Sequence, residues 1–268
     1  MLNERSLDTL CAALCYSMGF EKPKMANEPT PEIVKYVDEV LKGEKADRLL
    51  MYNPDAIAEW IFKKYSSLVK DVTEKEGVGV EFRTVMPSVT PVCFGTMYTG
   101  AQPEIHGIRK YEKPIIRIDT FFDAAIRAGK KIALLAQDGM SMAKIYLERE
   151  MDYYIFPTVA ETNAKAFELI VKDEYDIIIL YNVNYDATMH KFGPESLDAL
   201  AELRANSHVF GILSHMVEEH WKNHNTLVGF AMDHGCHEID GGCGSHGLDM
   251  EEDLNIRHSY RVYPKSEA

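Results

Sequence analysis

Three stretches of the chain hold residue types that ligate metal ions or attack phosphorus. The densest is MDHGCHEIDGGCGSHG, residues 232–247, with three histidines, two cysteines and two aspartates. Cys236 and Cys243 are separated by six residues, unlike the short-spaced pairs of structural zinc knots, so a knot built on them is disfavoured. That leaves Asp233, His234 and His246 as candidate ligands, with a hydrogen-bonded Asp-His pair in a core as the structural alternative for His234, and His237 without a role. In DATMHKFGP, residues 186–194, Asp186 and His190 are four apart. If the intervening turn is helical, that spacing sets a carboxylate beside an imidazole, a workable pair for a zinc-like ion. The same residues would also suit a turn-capping aspartate and a surface histidine.

The third stretch is FRTVMPSVTPVCFGTMYTGAQPEIHGI, residues 82–108. Thr90 before Pro91, an apolar segment and then Gly100 spell an N-cap, a proline at the first helical position and a glycine stop. Capping alone would account for Thr90. A hydroxyl at a helix N-terminus also lies where a phosphate or sulfate anion is welcome, and beside two metal ions it could lose its proton and attack phosphorus.

The elements that must position these residues read as alternating strands and helices. Short apolar runs at 49–52 (LLMY), 132–136 (IALLA), 152–156 (DYYIF), 176–181 (DIIILY) and 226–232 (TLVGFAM) alternate with helical patterns such as AIAEWIFKKYSSLV and AETNAKAFELIV. Continuous apolar runs of this kind predict a doubly wound α/β fold, a mostly parallel sheet with helices on both faces. Functional residues of such sheets sit beyond the carboxyl ends of the strands, where Asp55, Asp186 and Asp233 with His234 all fall. Residues 1–46 form two amphipathic helices, with Leu7, Leu10, Cys11 and Leu14 on one face of the first and Ile33, Val34, Val37 and Val40 on the second. We read them as an N-terminal helical extension and 47–268 as one domain. EEDLNIRHS reads as a solvated loop before a terminal strand, SYRVY.

Composition narrows the function. A formal net charge of -13 without a Lys/Arg run disfavours polymeric nucleic acid and anionic membranes as partners, whereas metal ions could make a local site positive for a small phosphorylated substrate. The charged amino terminus and five cysteines lead to the expectation of a cytoplasmic protein with reduced thiols, and the N-terminal helices could supply a homodimer face.

Together and in this order the motifs resemble the alkaline phosphatase superfamily, and within it the type I phosphodiesterase/nucleotide pyrophosphatase branch. The resemblance runs from about Asp47 to His246 and rests on Asp55 after the first strand, Thr90 at a helix start, TGAQPEIHGI, DATMHKFGP, the Asp233 to Gly235 triplet and GSHG at 244–247. It implies one divalent ion held by Asp186, His190 and His246, and a second held by Asp55, Asp233 and His234 with the Thr90 oxygen approaching it. Zinc suits these ligands, manganese being the alternative. It further implies in-line attack by Thr90 and hydrolysis of a phosphoryl- or nucleotidyl-threonine intermediate. His106 is expected to be structural.

Two positions depart from the family pattern. Asp55 is followed by Ala56 where the family has Asp-Gly, and Cys93 stands where an asparagine donates to a phosphate oxygen, so a substrate-binding role for Cys93 rests on a weaker donor. SVTPVCF has no arginine where the sulfatases require one, and residues 109–185 are short for a mutase cap. The expected function is hydrolysis of phosphodiesters or pyrophosphates, with phosphomonoesters or phosphonates as the alternative within the superfamily. A catalytically silent metal-binding protein is the alternative outside it.

Overall fold

A computed structural model describes residues 1–266; the last two residues of the expected 47–268 domain lie outside it. Its strands are β1 (Arg5–Ser6), β2 (Arg48–Pro54), β3 (Val78–Arg83), β4 (Ile132–Gln137), β5 (Asp152–Phe156), β6 (Ile177–Asn182), β7 (Thr226–Phe230), β8 (His237–Ile239), β9 (Cys243–Ser245) and β10 (Asn255–Tyr263). Eight of them make one sheet in the order β1-β3-β10-β7-β2-β6-β4-β5, while β8 and β9 form a separate hairpin. The five strands from β7 to β5 are parallel, and β10 runs antiparallel between β7 and β3. The doubly wound α/β expectation holds, with an antiparallel strand set into it.

The parallel strands are those read from continuous apolar runs, and β2, β4, β6 and β7 are buried along almost their whole length. β3 escaped the reading because it alternates instead: Val80 and Phe82 are buried, while Glu81 and Arg83 are exposed. The helix expected over AIAEWIFKKYSSLV is broken into Glu59–Lys64, a 3-10 turn at Ser66–Leu68 and Lys70–Thr73. Ser66 and Ser67, weak helix formers, lie at the break. The long helix Leu197–His220 was not singled out because its buried stripe includes Asn206, Ser207 and Ser214, which blur the apolar period.

The acidic stretch is not a solvated loop. Glu251–Leu254 is a short helix, Asn255 already begins β10, and Asp253 is fully buried, accepting from His237 Nδ1 at 2.7 Å and from the Leu248 amide. This gives His237 a structural place. At the amino end, the 3-10 turn Leu7–Thr9 and helices Leu10–Met18 and Pro31–Leu41 bury Leu7, Leu10, Cys11, Leu14, Ile33 and Val37 in the same core as the sheet, and β1 pairs with β3. No helix among the described residues is long and apolar enough to cross a membrane.

Candidate metal centre

The carboxyl ends of β2, β6 and β7 open on one edge of the sheet, and the chain turns off each of them into a candidate ligand. Asp55 follows β2, and its amide donates to the Asn182 carbonyl at the end of β6. Ala56 then takes φ +61°, a left-handed conformation that suits glycine and explains the Asp-Gly of the family pattern. Its amide donates to Asp233 Oδ1 at 3.2 Å, tying the β2 and β7 exits together. Beyond β6, helix Asn184–Phe192 carries Asp186 and His190 one turn apart on the same face. The helical condition on that spacing is met. The β8–β9 hairpin brings His246 over this helix; Gly244 makes the approach possible, because a Cβ there would lie 2.6 Å from Met189 Sδ and 2.7 Å from its carbonyl.

Two groups result. Asp186, His190 and His246 form one and Asp55, Asp233 and His234 the other, each with its ligand atoms within 4.8 Å of one another. They are the only groups of three or more such residues among the described ones, and neither includes a cysteine. The second is closed off from solvent, with all three side chains at most 1 % exposed, whereas His190 in the first is 41 % exposed.

No backbone group claims the inward-facing atoms of these groups. His190, His234 and His246 each donate Nδ1–H to a backbone carbonyl, of Gly244, Gly235 and Ser88, at 3.0, 2.9 and 2.9 Å. The proton is thereby committed to Nδ1 in the neutral ring, and the Nε2 lone pair of each points to the centre, the arrangement that orients imidazole ligands for a metal. Opposite them, Asp55 Oδ1, Asp186 Oδ1 and Asp233 Oδ2 are buried without a hydrogen-bond partner among the described residues. His190 Nε2 is 3.2 Å from Asp186 Oδ1, and His234 Nε2 is 3.4 Å from Asp55 Oδ1 and 3.3 Å from Asp233 Oδ2. Carboxylate oxygens left without a partner beside inward-facing imidazole nitrogens are costly in a folded core unless a proton or a cation joins them. The residues present therefore fit two divalent cations.

The charge states tell the same story. Burial pushes Asp233 up to about 8, and burial together with the charges of Asp233 and Asp186 raises Asp55 well above the ordinary carboxylate range. Burial works to raise Asp186 too, yet the His190 imidazole beside it and the other nearby imidazoles hold it below its usual value, while the Asp186 carboxylate raises His190. Burial, then the His234 charge, push His246 down to about 3, so it stays neutral.

Thr90 lies against the inner group. It is the first residue of helix Thr90–Thr99, followed by Pro91, and the N-cap is Val89, not Thr90 as the sequence suggested. Its hydroxyl makes no capping bond; Oγ1 sits 3.3 Å from His234 Nε2 and 3.5 Å from Asp55 Oδ2. Capping therefore does not account for Thr90. Cys93, one turn on, is fully buried, with its thiol toward the Val85 carbonyl at 4.0 Å, and burial raises its pKa well above the usual thiol value. In this conformation it presents no surface to a substrate, and it is a poor nucleophile. His106 is buried against Gly95, hydrogen-bonds Thr96 Oγ1 at 3.0 Å, is lowered to about 4 by burial and stands apart from both groups. Tyr181, at the end of β6, was not foreseen: its phenol donates to Asp55 Oδ2, leaving Oδ1 as that carboxylate's free oxygen.

This arrangement can be set beside known proteins. Residues 62–115 match the family model for type I phosphodiesterase / nucleotide pyrophosphatase. Murine ectonucleotide pyrophosphatase/phosphodiesterase 5 superposes with a TM-score of 0.56 at 21% identity, covering 72% of this chain and 58% of its own. The chain shares that protein's fold. Phosphonoacetate hydrolase from Sinorhizobium meliloti, in complex with phosphonoformate, has the same fold at a TM-score of 0.56 and 16% identity, covering 76% of this chain and 61% of its own. The human counterpart of the murine protein aligns at 18% identity with a TM-score of 0.54, covering 72% and 58%. The chain thus spans about three fifths of the length of the solved structures it matches. No curated protein matches it in sequence.

Proposed function

We propose that the chain is a dinuclear metal-dependent hydrolase of small phosphate esters, acting on phosphodiesters or pyrophosphates through Thr90 as nucleophile. The observation that carries this reading is the set of three carboxylate oxygens without a hydrogen-bond partner facing three imidazole Nε2 atoms that no backbone group claims, with a threonine hydroxyl that makes no capping bond against them. Asp186, His190 and His246 would hold one cation, and Asp55, Asp233 and His234 the other, next to the Thr90 oxygen. Three nitrogen and three carboxylate donors suit zinc, with manganese the alternative. Bound there, two such ions would supply positive charge to the phosphoryl group as it is transferred.

The protein's own contribution is position. Thr90, fixed at the first turn of its helix, would direct its oxygen toward phosphorus, forming an O–P bond as its hydroxyl proton is lost and the leaving oxygen departs and takes up a proton; water then releases the phosphoryl- or nucleotidyl-threonine ester. His190 and His246, locked in one tautomer by Gly244 and Ser88, keep their rings from turning as charge develops. Burial of Asp55, Asp233 and His234 excludes bulk water from the nucleophile's side of the site.

The test is turnover of a chromogenic phosphodiester beside the matching monoester, after loading with zinc or manganese, with Thr90→Ala as control. Diester turnover lost in that variant supports the reading; full turnover in Thr90→Ala removes the nucleophile. A monoester or phosphonate preference is the second reading, favoured by the buried Cys93 thiol, which offers a phosphate oxygen no amide donor.

A further inference from the structure

The stretch that carries Asp233 and His234 has left the sheet: β7 ends at Phe230, and its last ladder-like bond is from the Ala231 amide to the Tyr52 carbonyl at 2.9 Å. From there the chain would have nothing to fix it, yet three buried side chains take its next three carbonyls in turn. Asn53 Nδ2 donates to Ala231 O at 2.7 Å, His258 Nε2 to Met232 O at 2.7 Å, and Thr84 Oγ1 to Asp233 O at 2.7 Å. Asn53 belongs to β2 on one side of β7, His258 to β10 on the other, and Thr84 follows β3 beyond it. All three are at most 3 % exposed. Two of the donors are themselves oriented: the Tyr98 phenol donates to Asn53 Oδ1 at 2.7 Å, and the Tyr260 phenol donates to His258 Nδ1 at 2.9 Å, which leaves Nε2 as the ring's donor.

We propose that Asn53, Thr84 and His258 form a side-chain splint that replaces the missing sheet ladder and sets the position of Asp233 and His234 in the inner cation site. The proposal rests on the reading of Asp55, Asp233 and His234 as that site. Three carbonyls held from three directions leave the segment no freedom to rotate, which is the rigidity a ligand pair needs to meet a cation within about 0.5 Å. These are positioning residues: none touches the reacting atoms, and losing one should loosen the inner site while sparing the outer one, whose ligands come from helix Asn184–Phe192 and the hairpin.

Thr84→Val keeps the shape and removes the donor; Thr84→Ser restores it. Zinc affinity, measured by competition with a chromogenic chelator, is read for the inner site in a His190→Ala background and for the outer site in a His234→Ala background. Thr84→Val is expected to weaken the inner site about 10- to 100-fold, as loss of an outer-shell partner does elsewhere, with Thr84→Ser close to the parent and the outer site unchanged. Equal inner-site affinity in Thr84→Val, or an equal loss at both sites tracking a lower melting temperature, overturns the splint. If the His190→Ala parent with Thr84 intact takes up no zinc, the cation reading fails and the proposal with it; an unaltered parent with an unaffected Thr84→Val condemns the splint alone.

Discussion

His190 and His246 aim their Nε2 atoms at each other across 3.1 Å while each commits Nδ1–H to a backbone carbonyl. Two lone pairs at that distance repel unless a proton or a cation lies between them. The raised pKa of His190 beside Asp186 indicates the proton solution in the cation-free molecule. Zinc should replace it. We expect two zinc ions per chain by calorimetry and one in His190→Ala, the inner ion being retained. At a hundredfold excess of free zinc over Kd, each site should add about 2.7 kcal/mol, or roughly 5–10 °C in melting temperature. A melting curve indifferent to zinc and to chelator would contradict the dinuclear site.

The pH dependence follows from Asp233. Its folded-state pKa is raised to about 8, above the ordinary carboxylate value, so between about pH 4 and pH 8 the folded chain binds a proton that the unfolded chain does not. Stability of the cation-free protein from this group should therefore fall as pH rises through that window, and Asp55, raised in the same sense, adds to the fall. Zinc, which displaces the protons, should bind more tightly as pH rises toward 8 and flatten the trend. Thermal melts at pH 5 and pH 8 in chelator and in zinc would show this, and a chelated protein more stable at pH 8 would refute it.

Much of the candidate centre was legible in the sequence because its residues follow strand ends and a fixed helical spacing. Asp55 follows β2, Asp233 and His234 follow β7, and Asp186 and His190 share a helical turn, all local relations that residue order preserves. What stayed hidden depends on pairing across the sheet. β3 alternates where the other strands are continuous, and β10 joins it from more than 170 residues away, so neither Thr84 nor His258 could be placed near Asp233. Tyr181 looked like the apolar end of a strand until β6 was set beside β2. Thr90 misled in a smaller way: Thr-Pro is a fair capping signal, but the chain starts the helix one residue earlier, leaving its hydroxyl free.

Thiol chemistry separates the threonine reading from a cysteine one. Cys11, Cys15, Cys93 and Cys236 are buried, and only Cys243 on the hairpin is partly open. Burial raises the thiols of Cys11, Cys93 and Cys236 well above the usual value, so they are neither reachable nor ionised near neutral pH. A disulfide reagent should label one thiol quickly in the folded protein and the other four only on denaturation. Labelling of Cys243 should leave hydrolysis by Thr90 largely intact, whereas Thr90→Ala should lower turnover by on the order of 10³-fold or more. Rapid modification of Cys93 with matching loss of activity would reverse the assignment.

Gly235 completes the Asp-His-Gly triplet for a reason of packing. A Cβ there would stand 2.0 Å from the Glu252 carbonyl oxygen and 3.1 Å from the Ala58 methyl, and the Gly235 amide donates to Asp253 O at 2.8 Å. The obstruction is backbone, which cannot swing aside as a side-chain end would. Gly235→Ala must therefore push the ligand segment away from the Glu251–Leu254 helix, and overpacking of this kind typically costs about 1–3 kcal/mol. We expect a melting temperature lowered by roughly 2–10 °C and, because the displacement falls on Asp233 and His234, an inner zinc bound at least about tenfold more weakly. A control at Gly241, where a Cβ would meet nothing within 4 Å but φ is +88°, should lose stability through backbone strain alone and keep its zinc affinity. If both variants bind zinc like the parent, contact between Gly235 and Glu252 does not set the geometry of the site.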